Sequence, residues 1–398
     1  MQKTEIVTIL SACSATMLAV STVFMNQSIF LELSRYFEVN IALARISFST
    51  VSLSYSITFL LAGPLMNRGN LAKISFWGAA MLAITLITTS FAASFNGLLA
   101  GMTAIGFCAA LIPAAMFPYI SRLAPHPHRG FYVGTIVAAA TLGVIFGRVL
   151  SGILTSVIGW QWSYRTLAVM VLITSTMTLL SLPSPQEPKE GKTLSLADDY
   201  KKSYQLLLRM RTLGLMLVGG TLFFSFMGIV TFLSYRLNNP PFNFSSREIG
   251  WISFAGITAL VAPFSGKLAN RVSIGKIILW GLSAALISCC MVGISSTLPG
   301  ISLGLLILFL SVYLCQPLVF ILVGDSVSPE LLGSASSLYI FFCIGGGSLA
   351  SMVLGPVWGA YGWHGVVSVC LLSLFTSLLL ISLLKTGQQQ PANRSDSI

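Results

Sequence analysis

Arg148 stands late in the apolar run 131–155, between Gly147 and Val149. If that run crosses a bilayer, the guanidinium lies inside the hydrocarbon, at a cost of roughly 2.5–3.5 kcal/mol on insertion scales. A cation kept there has two readings. It anchors an anionic group of a ligand, or it is a packing partner for Glu32 or for backbone carbonyls. The eleven acidic residues all avoid the middle of an apolar run. Proton coupling in a carrier needs a carboxyl whose affinity for its proton changes with burial as access alternates. Glu32, at the outer end of the first run, is the first candidate, and Asp325, at the inner end of the tenth, is the second. Both also read as solvated helix-end charges. If protons couple, the expected route runs through Glu32 and Arg148.

Other chemistry is thin. His126 and His128, in Pro-His-Pro-His-Arg, have no acidic or thiol neighbour and make a poor metal site; His364 reads as an interfacial polar residue. Seven cysteines (13, 108, 289, 290, 315, 343 and 370) all fall in apolar runs without metal-ligand spacing and read as buried thiols. There is no phosphate-cradling Gly-Lys-Ser/Thr motif and no Ser/His/Asp cluster, so neither ATP drive nor an enzyme is expected. No cofactor, no metal and no nucleic-acid partner is expected.

The elements that carry these residues follow from composition. Of 398 residues, 55% are hydrophobic and 8% charged, with a mean hydropathy of +0.87. So few charges cannot cover a water-soluble globule, for which about 25% is usual. The lipid bilayer is the expected outer solvent. Twelve runs are long enough to span it, near 6–28, 44–65, 74–94, 97–120, 131–155, 163–182, 212–235, 249–268, 277–296, 300–323, 334–357 and 364–384. They are continuous rather than alternating, which favours helices over barrel strands. The first is too long for a signal peptide and lacks a small-residue cleavage site.

Twelve spans put both termini on one side. With the termini cytoplasmic, sixteen Lys and Arg fall inside and five outside (Arg35, Arg45, Arg165, Arg236, Arg247). That asymmetry predicts the orientation, and it places Trp160, Trp162, Trp358 and Trp363 at the outer interface. The long polar stretch 183–211 opens with three prolines and turns amphipathic from Tyr200 to Leu208. It reads as a cytoplasmic linker with a surface helix. The expected organisation is a six-helix bundle over 1–182, the linker 183–211, a second bundle over 212–385 and a cytoplasmic tail, 386–398.

The halves repeat at a constant offset of 203 residues. Gly63-Pro-Leu65-Met-Asn67-Arg68 pairs with Gly266-Lys-Leu268-Ala-Asn270-Arg271, Lys73-Ile74 with Lys276-Ile277, and Trp77-Gly78 with Trp280-Gly281. Gly130, Gly143, Gly152 and Gly159-Trp160 pair with Gly333, Gly346, Gly355 and Gly362-Trp363. Gly, Trp, Lys and Asn-Arg matches in one ungapped register mark a duplication. An even number of helices between equivalents gives parallel repeats about an axis along the membrane normal, with a cleft between them.

On these residues the chain resembles the major facilitator superfamily over essentially its full length. That family's loop after the second span reads Gly-x-x-x-Asp-Arg-x-Gly-Arg-Arg/Lys; here Gly63, Asn67, Arg68 and Lys73 match it, with a second copy at Gly266, Asn270, Arg271 and Lys276. The resemblance implies that Asn67, Arg68, Asn270 and Arg271 gate the inner side, with Asn in the acidic position of both copies. Within the superfamily the chain is similar to the twelve-span drug and metabolite efflux group. Gln27-Ser-Ile-Phe-Leu-Glu32-Leu resembles the Gln-Pro-Leu-Leu-Pro-Glu-Leu of one exporter branch. Gly143-Val-Ile-Phe-Gly147-Arg148-Val-Leu-Ser-Gly152 resembles that branch's Gly-rich fifth span, with Val144 for Pro and Arg148 for the last Gly of the Gly-Pro-x-x-Gly-Gly antiporter signature.

In that family the first, fourth, seventh and tenth helices line the cleft. The resemblance therefore implies substrate contacts from Asn26, Gln27, Met116, Phe117, Tyr119, Phe224, Ser225, Met227, Tyr235, Tyr313 and Gln316; Arg148, on the fifth run, joins the candidates through its charge alone. Aromatic and Met surfaces with few charges suit an apolar or amphipathic ligand. The expectation is an all-α membrane protein of twelve transmembrane helices in two pseudo-symmetric bundles, acting as a monomer in a bacterial-type inner membrane. Its expected activity is proton-coupled export of small organic molecules by alternating access. The alternatives are export of a specific anionic metabolite, such as a siderophore or carboxylate, and an uncoupled facilitator or sensor.

Overall fold

The computed structural model describes residues 3–124, 128–181, 196–244 and 257–386. His126, the Pro-rich start of the linker, residues 249–256 of the eighth expected span and the tail beyond 386 lie outside the described residues. In chain order the helices are α1 Lys3–Phe24, α2 Phe30–Tyr36, α3 Ile41–Arg68, α4 Leu71–Thr89, α5 Phe95–Leu123, α6 Arg129–Ile158 and α7 Trp160–Ser181. After the linker come α8 Leu196–Gln205, α9 Met210–Asn238, α10 Ala262–Ala269, α11 Ile274–Ile294, α12 Leu298–Asp325 and α13 Leu332–Thr386. No strand occurs among the described residues.

Ten of the described helices are long and apolar enough to cross a membrane. The longest, α13, is two spans in one, broken where Gly362 takes φ +60° and ψ −151°. The described part of the eighth span, Ile257–Ala269, is shorter. Both lipid-exposed and buried faces are apolar, so helix boundaries come from caps and glycines rather than from amphipathicity. Asn40, Asn70 and Ser94 accept hydrogen bonds from the backbone N–H groups of Leu43, Lys73 and Gly97 and so start α3, α4 and α5. Gly159, at φ +89°, turns α6 directly into α7. Its partner in the repeat is Gly362, the other glycine at positive φ among the described residues.

The duplication is visible in the backbone. Leu71 and Ile274, Phe95 and Leu298, and Arg129 and Leu332 each open equivalent helices 203 residues apart. Packing repeats too. Gly143 and Gly147 of α6 lie on the backbone of Met17 and Ser21 in α1, and Ser21 Oγ donates to the Gly143 carbonyl (2.9 Å). In the second half Gly346 lies on the backbone of Gly220, the residue equivalent to Met17. Small residues allow this approach where lipid offers no hydrophobic drive for helix association.

The first half packs α1 against α5, α6 and α7, and α4 against α5 and α7. The second packs α9 and α11 against α12 and α13. One face of the molecule carries Lys3, Ser181, Met210 and Thr386, as shown by Thr8 Oγ1 donating to the Ser181 carbonyl and by Gly214 facing Leu384. This is called the terminal face, and the other the distal face. At the distal face Arg165 donates to Ser90 Oγ (3.0 Å) and lies over Phe91 and Trp162. Arg236 donates to the carbonyls of Val292 and Ser295 and lies over Trp363.

Candidate transport site

The halves meet along two seams at the terminal face. In the first, a Cβ on Gly63 of α3 would stand 2.9 Å from Ser334 Cα of α13, and one on Gly333 would stand 2.7 Å from the Met66 carbonyl carbon. In the second, Gly130 of α6 and Gly266 of α10 approach so closely that a Cβ on either would overlap the other's backbone. Adding 203 converts one seam into the other: Gly63 becomes Gly266, and Gly130 becomes Gly333. The seams are thus the two copies of one contact, as a twofold arrangement requires.

Polar groups differ between the copies. Asn67 Nδ2 donates to Ser334 Oγ (2.7 Å), and the Ser334 backbone N–H donates to Asn67 Oδ1 (3.0 Å). Ser334 lies in the first turn of α13, where N–H groups lack helical partners. Asn67 therefore caps a helix of the opposite half. In the other seam Lys267 lies 5.1 Å from the centroid of the Phe131 ring, and Phe131 is the equivalent of Ser334. Arg129 forms an ion pair with Asp325 across the same face and donates to Ser121 Oγ.

Between the seams Phe117 of α5 meets Phe320 of α12, with ring centroids 5.5 Å apart. Tyr339 of α13 closes on the far side of Phe320 at 5.8 Å. Distal to this aromatic layer, about two helical turns along α12, the Tyr313 hydroxyl stands beside the Thr141 side chain of α6 and near Arg148. Arg148 also lies over the Phe24 ring, 5.7 Å from its centroid. A polar cluster shared by both halves thus sits distal to an apolar floor.

The structure sorts the expected site residues. Arg148 and Tyr313 come together, and Phe117 forms the floor. Gln316 lies between Tyr313 and Phe320 on the same side of α12, its Oε1 buried without a hydrogen-bond partner. Met116 is fully buried and Tyr119 nearly so, both beside the floor in α5. Phe224 and Met227 are half-buried on α9, with Met227 against Gly347. Gln27 is half-buried in the turn after α1.

Other residues lie elsewhere. Asn26 is sealed inside the first half: Tyr164 Oη donates to its Oδ1 (2.6 Å), and its Nδ2 reaches Ser47 Oγ and Met102 Sδ. Ser225 donates to the Cys370 carbonyl inside the second half. Tyr235 is 47% exposed at the distal face, stacked on Phe232 and beside Trp358. Glu32 opens α2 with Oε2 buried and no hydrogen-bond partner. Asp325 is in the ion pair at the seam. Asn270 follows α10 as its cap residue, Arg271 is exposed, and Arg68 ends α3.

Sequence reasoning missed Thr141, Phe24, Arg129, Ser334 and Phe320. One signal was available for Phe320: it is the repeat equivalent of Phe117, and residues on a pseudo-twofold axis must meet their own equivalents.

The profile of the Major Facilitator Superfamily matches residues 6–351. The chain belongs to the major facilitator superfamily. Among curated relatives it is 26% identical to the uncharacterised MFS-type transporter YybF of Bacillus subtilis (strain 168), over 92% of this chain and 90% of that protein. It is 25% identical to the inner membrane transport protein YnfM of Escherichia coli (strain K12), over 93% and 88%. Among solved structures, the human organic anion transporter MFSD10 (TETRAN) superposes with a TM-score of 0.79 at 15% identity, covering 96% of this chain and all of that one. The transporter FucP in its outward conformation gives 0.76 at 16%, covering 96% and 99%. The superfamily fold, with its two pseudo-symmetric bundles, is the architecture described above. The protein is a multi-pass membrane transporter and not an enzyme.

Proposed function

We propose that this superfamily member is a secondary active exporter of small organic molecules that works by alternating access in a bacterial inner membrane. The observation that carries the reading is the closure of one face by two repeat-equivalent seams and an axial aromatic pair, with a polar cluster on the distal side of that closure. A twofold unit sealed at one end has a mirror task at the other, and rocking one half on the other exchanges them. In this reading residues 1–182 and 212–385 are the moving halves, joined by the linker 183–211 and followed by the tail 386–398. Both termini face the cytoplasm, as the excess of Lys and Arg on the terminal face supports. The closed seams are then the cytoplasmic gate, with Asn67, Arg68, Asn270 and Arg271 at its rim, and the state described is outward-facing.

Substrate contacts fall to Arg148, Tyr313, Gln316 and Phe117, at the cluster and its floor, and to Met227, Phe224 and Gln27, half-buried on α9 and in the turn after α1. Glu32 is the proton-coupling carboxyl. Its Oε2, buried without a hydrogen-bond partner among the described residues, supports this assignment over a carboxylate fixed in an ion pair. Asp325, engaged by Arg129, suits a gate strut.

The test is flux in proteoliposomes with an imposed pH gradient, using anionic and cationic candidate substrates in parallel. Gradient-driven accumulation is expected. Flux of equal size with and without the gradient defeats coupling and leaves the uncoupled facilitator. Arg148 favours a second reading of the substrate, a specific anionic metabolite, because a guanidinium offers donors only. Selective transport of the anionic set would establish it.

A further inference from the structure

We infer that the linker helix α8 is a working part of the terminal-face gate, a latch that holds α3 of one half to α13 of the other through Tyr200, Ser203 and Tyr204.

The argument begins at Pro64, inside α3. Proline has no N–H, so the carbonyl of Leu60, four residues earlier, loses its helical donor. A carbonyl in that position needs another partner. Tyr204 Oη donates to the Leu60 carbonyl (3.4 Å), and Tyr200 Oη donates to the next one, Leu61 (2.9 Å). The two rings, one helical turn apart, stack with centroids 6.3 Å apart. Burial, and then the neighbouring Tyr200, raise the Tyr204 phenol pKa above its ordinary value.

Ser203 lies on the same face of α8 and points into the other half. Its Oγ is 2.6 Å from Ser334 Oγ, and it also donates to the Asp199 carbonyl (2.6 Å). A hydroxyl has one hydrogen. Because Ser203 gives its hydrogen to Asp199, Ser334 must give its own to Ser203, and Asn67 Nδ2 then supplies Ser334. The chain runs one way, Asn67 to Ser334 to Ser203 to the Asp199 carbonyl, and bonds aligned in this manner reinforce one another. Ser203 is only 2% exposed, so water does not compete for it.

The latch acts on one seam. Lys267 is the repeat equivalent of Pro64, and Phe131 that of Ser334. The second seam therefore has neither the freed carbonyl nor the hydroxyl that α8 uses. Opening the terminal face separates α3 from α13, and α8 cannot then keep both its tyrosine contacts and its serine contact.

The inference rests on the transporter reading, but its test needs neither substrate nor gradient, so failure of the export or coupling proposals leaves it standing. Spin labels placed at Lys73 and Lys276, exposed equivalents on the two halves at this face, report the separation of the halves by pulsed electron–electron resonance. A Cys290→Ser background removes the one half-exposed thiol among the native cysteines. Ser203→Ala and Tyr204→Phe each delete one hydroxyl and are each expected to raise the long-distance population about five-fold, the equivalent of one hydrogen bond. Lys202→Gln, on the exposed face of α8, is expected to leave it unchanged. Unaltered distributions in both hydroxyl variants, with native melting profiles, overturn the latch. So does an equal shift in the Lys202 control.

Discussion

Phe117 and Phe320 occupy equivalent positions in the two halves and touch each other, with centroids 5.5 Å apart and planes inclined by 52°. A residue can contact its own repeat equivalent only on or beside the pseudo-twofold axis. The pair therefore marks the axis, between the two seams. Each ring is almost fully buried, so the plug is dry.

Truncating the plug should open the terminal face. Phe117→Ala and Phe320→Ala each remove a buried ring from a contact worth about 0.5–1.5 kcal/mol beyond its area, in addition to the transfer and cavity cost. Each single variant should leak small solutes in a vesicle swelling assay. The double variant should leak little more than either single, because one contact has been lost twice. Tight vesicles from both singles would remove the plug role.

Asn67 can be tested with two substitutions. Asn67→Ala deletes a donor and an acceptor to Ser334 and should favour the open terminal face by about 1–3 kcal/mol. Asn67→Asp keeps the acceptor for the Ser334 N–H and adds a negative charge at the N-terminus of α13, worth about 0.3–1 kcal/mol in favour of closure, while it loses the Nδ2 donor to Ser334 Oγ. The Asp variant should therefore open the terminal face less than the Ala variant, with a shorter Lys73–Lys276 label distance than in Asn67→Ala. A longer distance in the Asp variant than in the Ala variant would contradict the capping geometry.

The Arg129–Asp325 pair should contribute modestly. The Asp325 side chain is 44% exposed, and exposed pairs are worth about 0–1 kcal/mol and are screened by salt. Asp325→Asn should shift the gate by less than about five-fold, with the shift disappearing in high salt. Uphill transport should survive. Loss of gradient-driven accumulation in Asp325→Asn would instead move the proton site to this carboxyl.

Glu32→Gln is the complementary experiment. It keeps the size of the side chain and removes its titration. Downhill exchange of substrate should persist and accumulation against a gradient should fail. A variant that accumulates substrate as well as wild type eliminates Glu32 from coupling.

Glycines at the seam should be intolerant for a geometric reason. Gly130→Leu or Gly266→Leu forces a side chain into the opposite backbone and should trap the terminal face open, abolishing transport while the protein still folds into membranes. Gly355→Ala is the control, since nothing lies within 4 Å of a Cβ there. Transport by Gly130→Leu at wild-type rate would show that the seam does not close during the cycle.

The helical architecture was legible because lipid leaves a chain few choices: each apolar run must satisfy its backbone internally. The starts of α4, α5 and α6 recur at Ile274, Leu298 and Leu332, as the Gly and Trp register led one to expect. The site was less legible. Asn26, polar and near the end of the first span, reads as a ligand contact, yet it is consumed by Tyr164, Ser47 and Met102. Those partners come from three other helices, and no local pattern records their convergence. Ser334 is one serine among many until Asn67 is seen against it. Arg148 drew attention alone because a charge in hydrocarbon is costly wherever it points.

What the sequence by itself determined is the set of spans, their duplication and the parallel arrangement of the halves, since these follow from hydropathy and from a register of rare residues along the chain. Which face is closed, which residues meet across the axis, and whether a polar side chain meets the cleft or its own bundle were decided only by tertiary structure. Those outcomes depend on helix rotation about each axis, and in a helix apolar on every side the sequence leaves that angle open until its neighbours fix it.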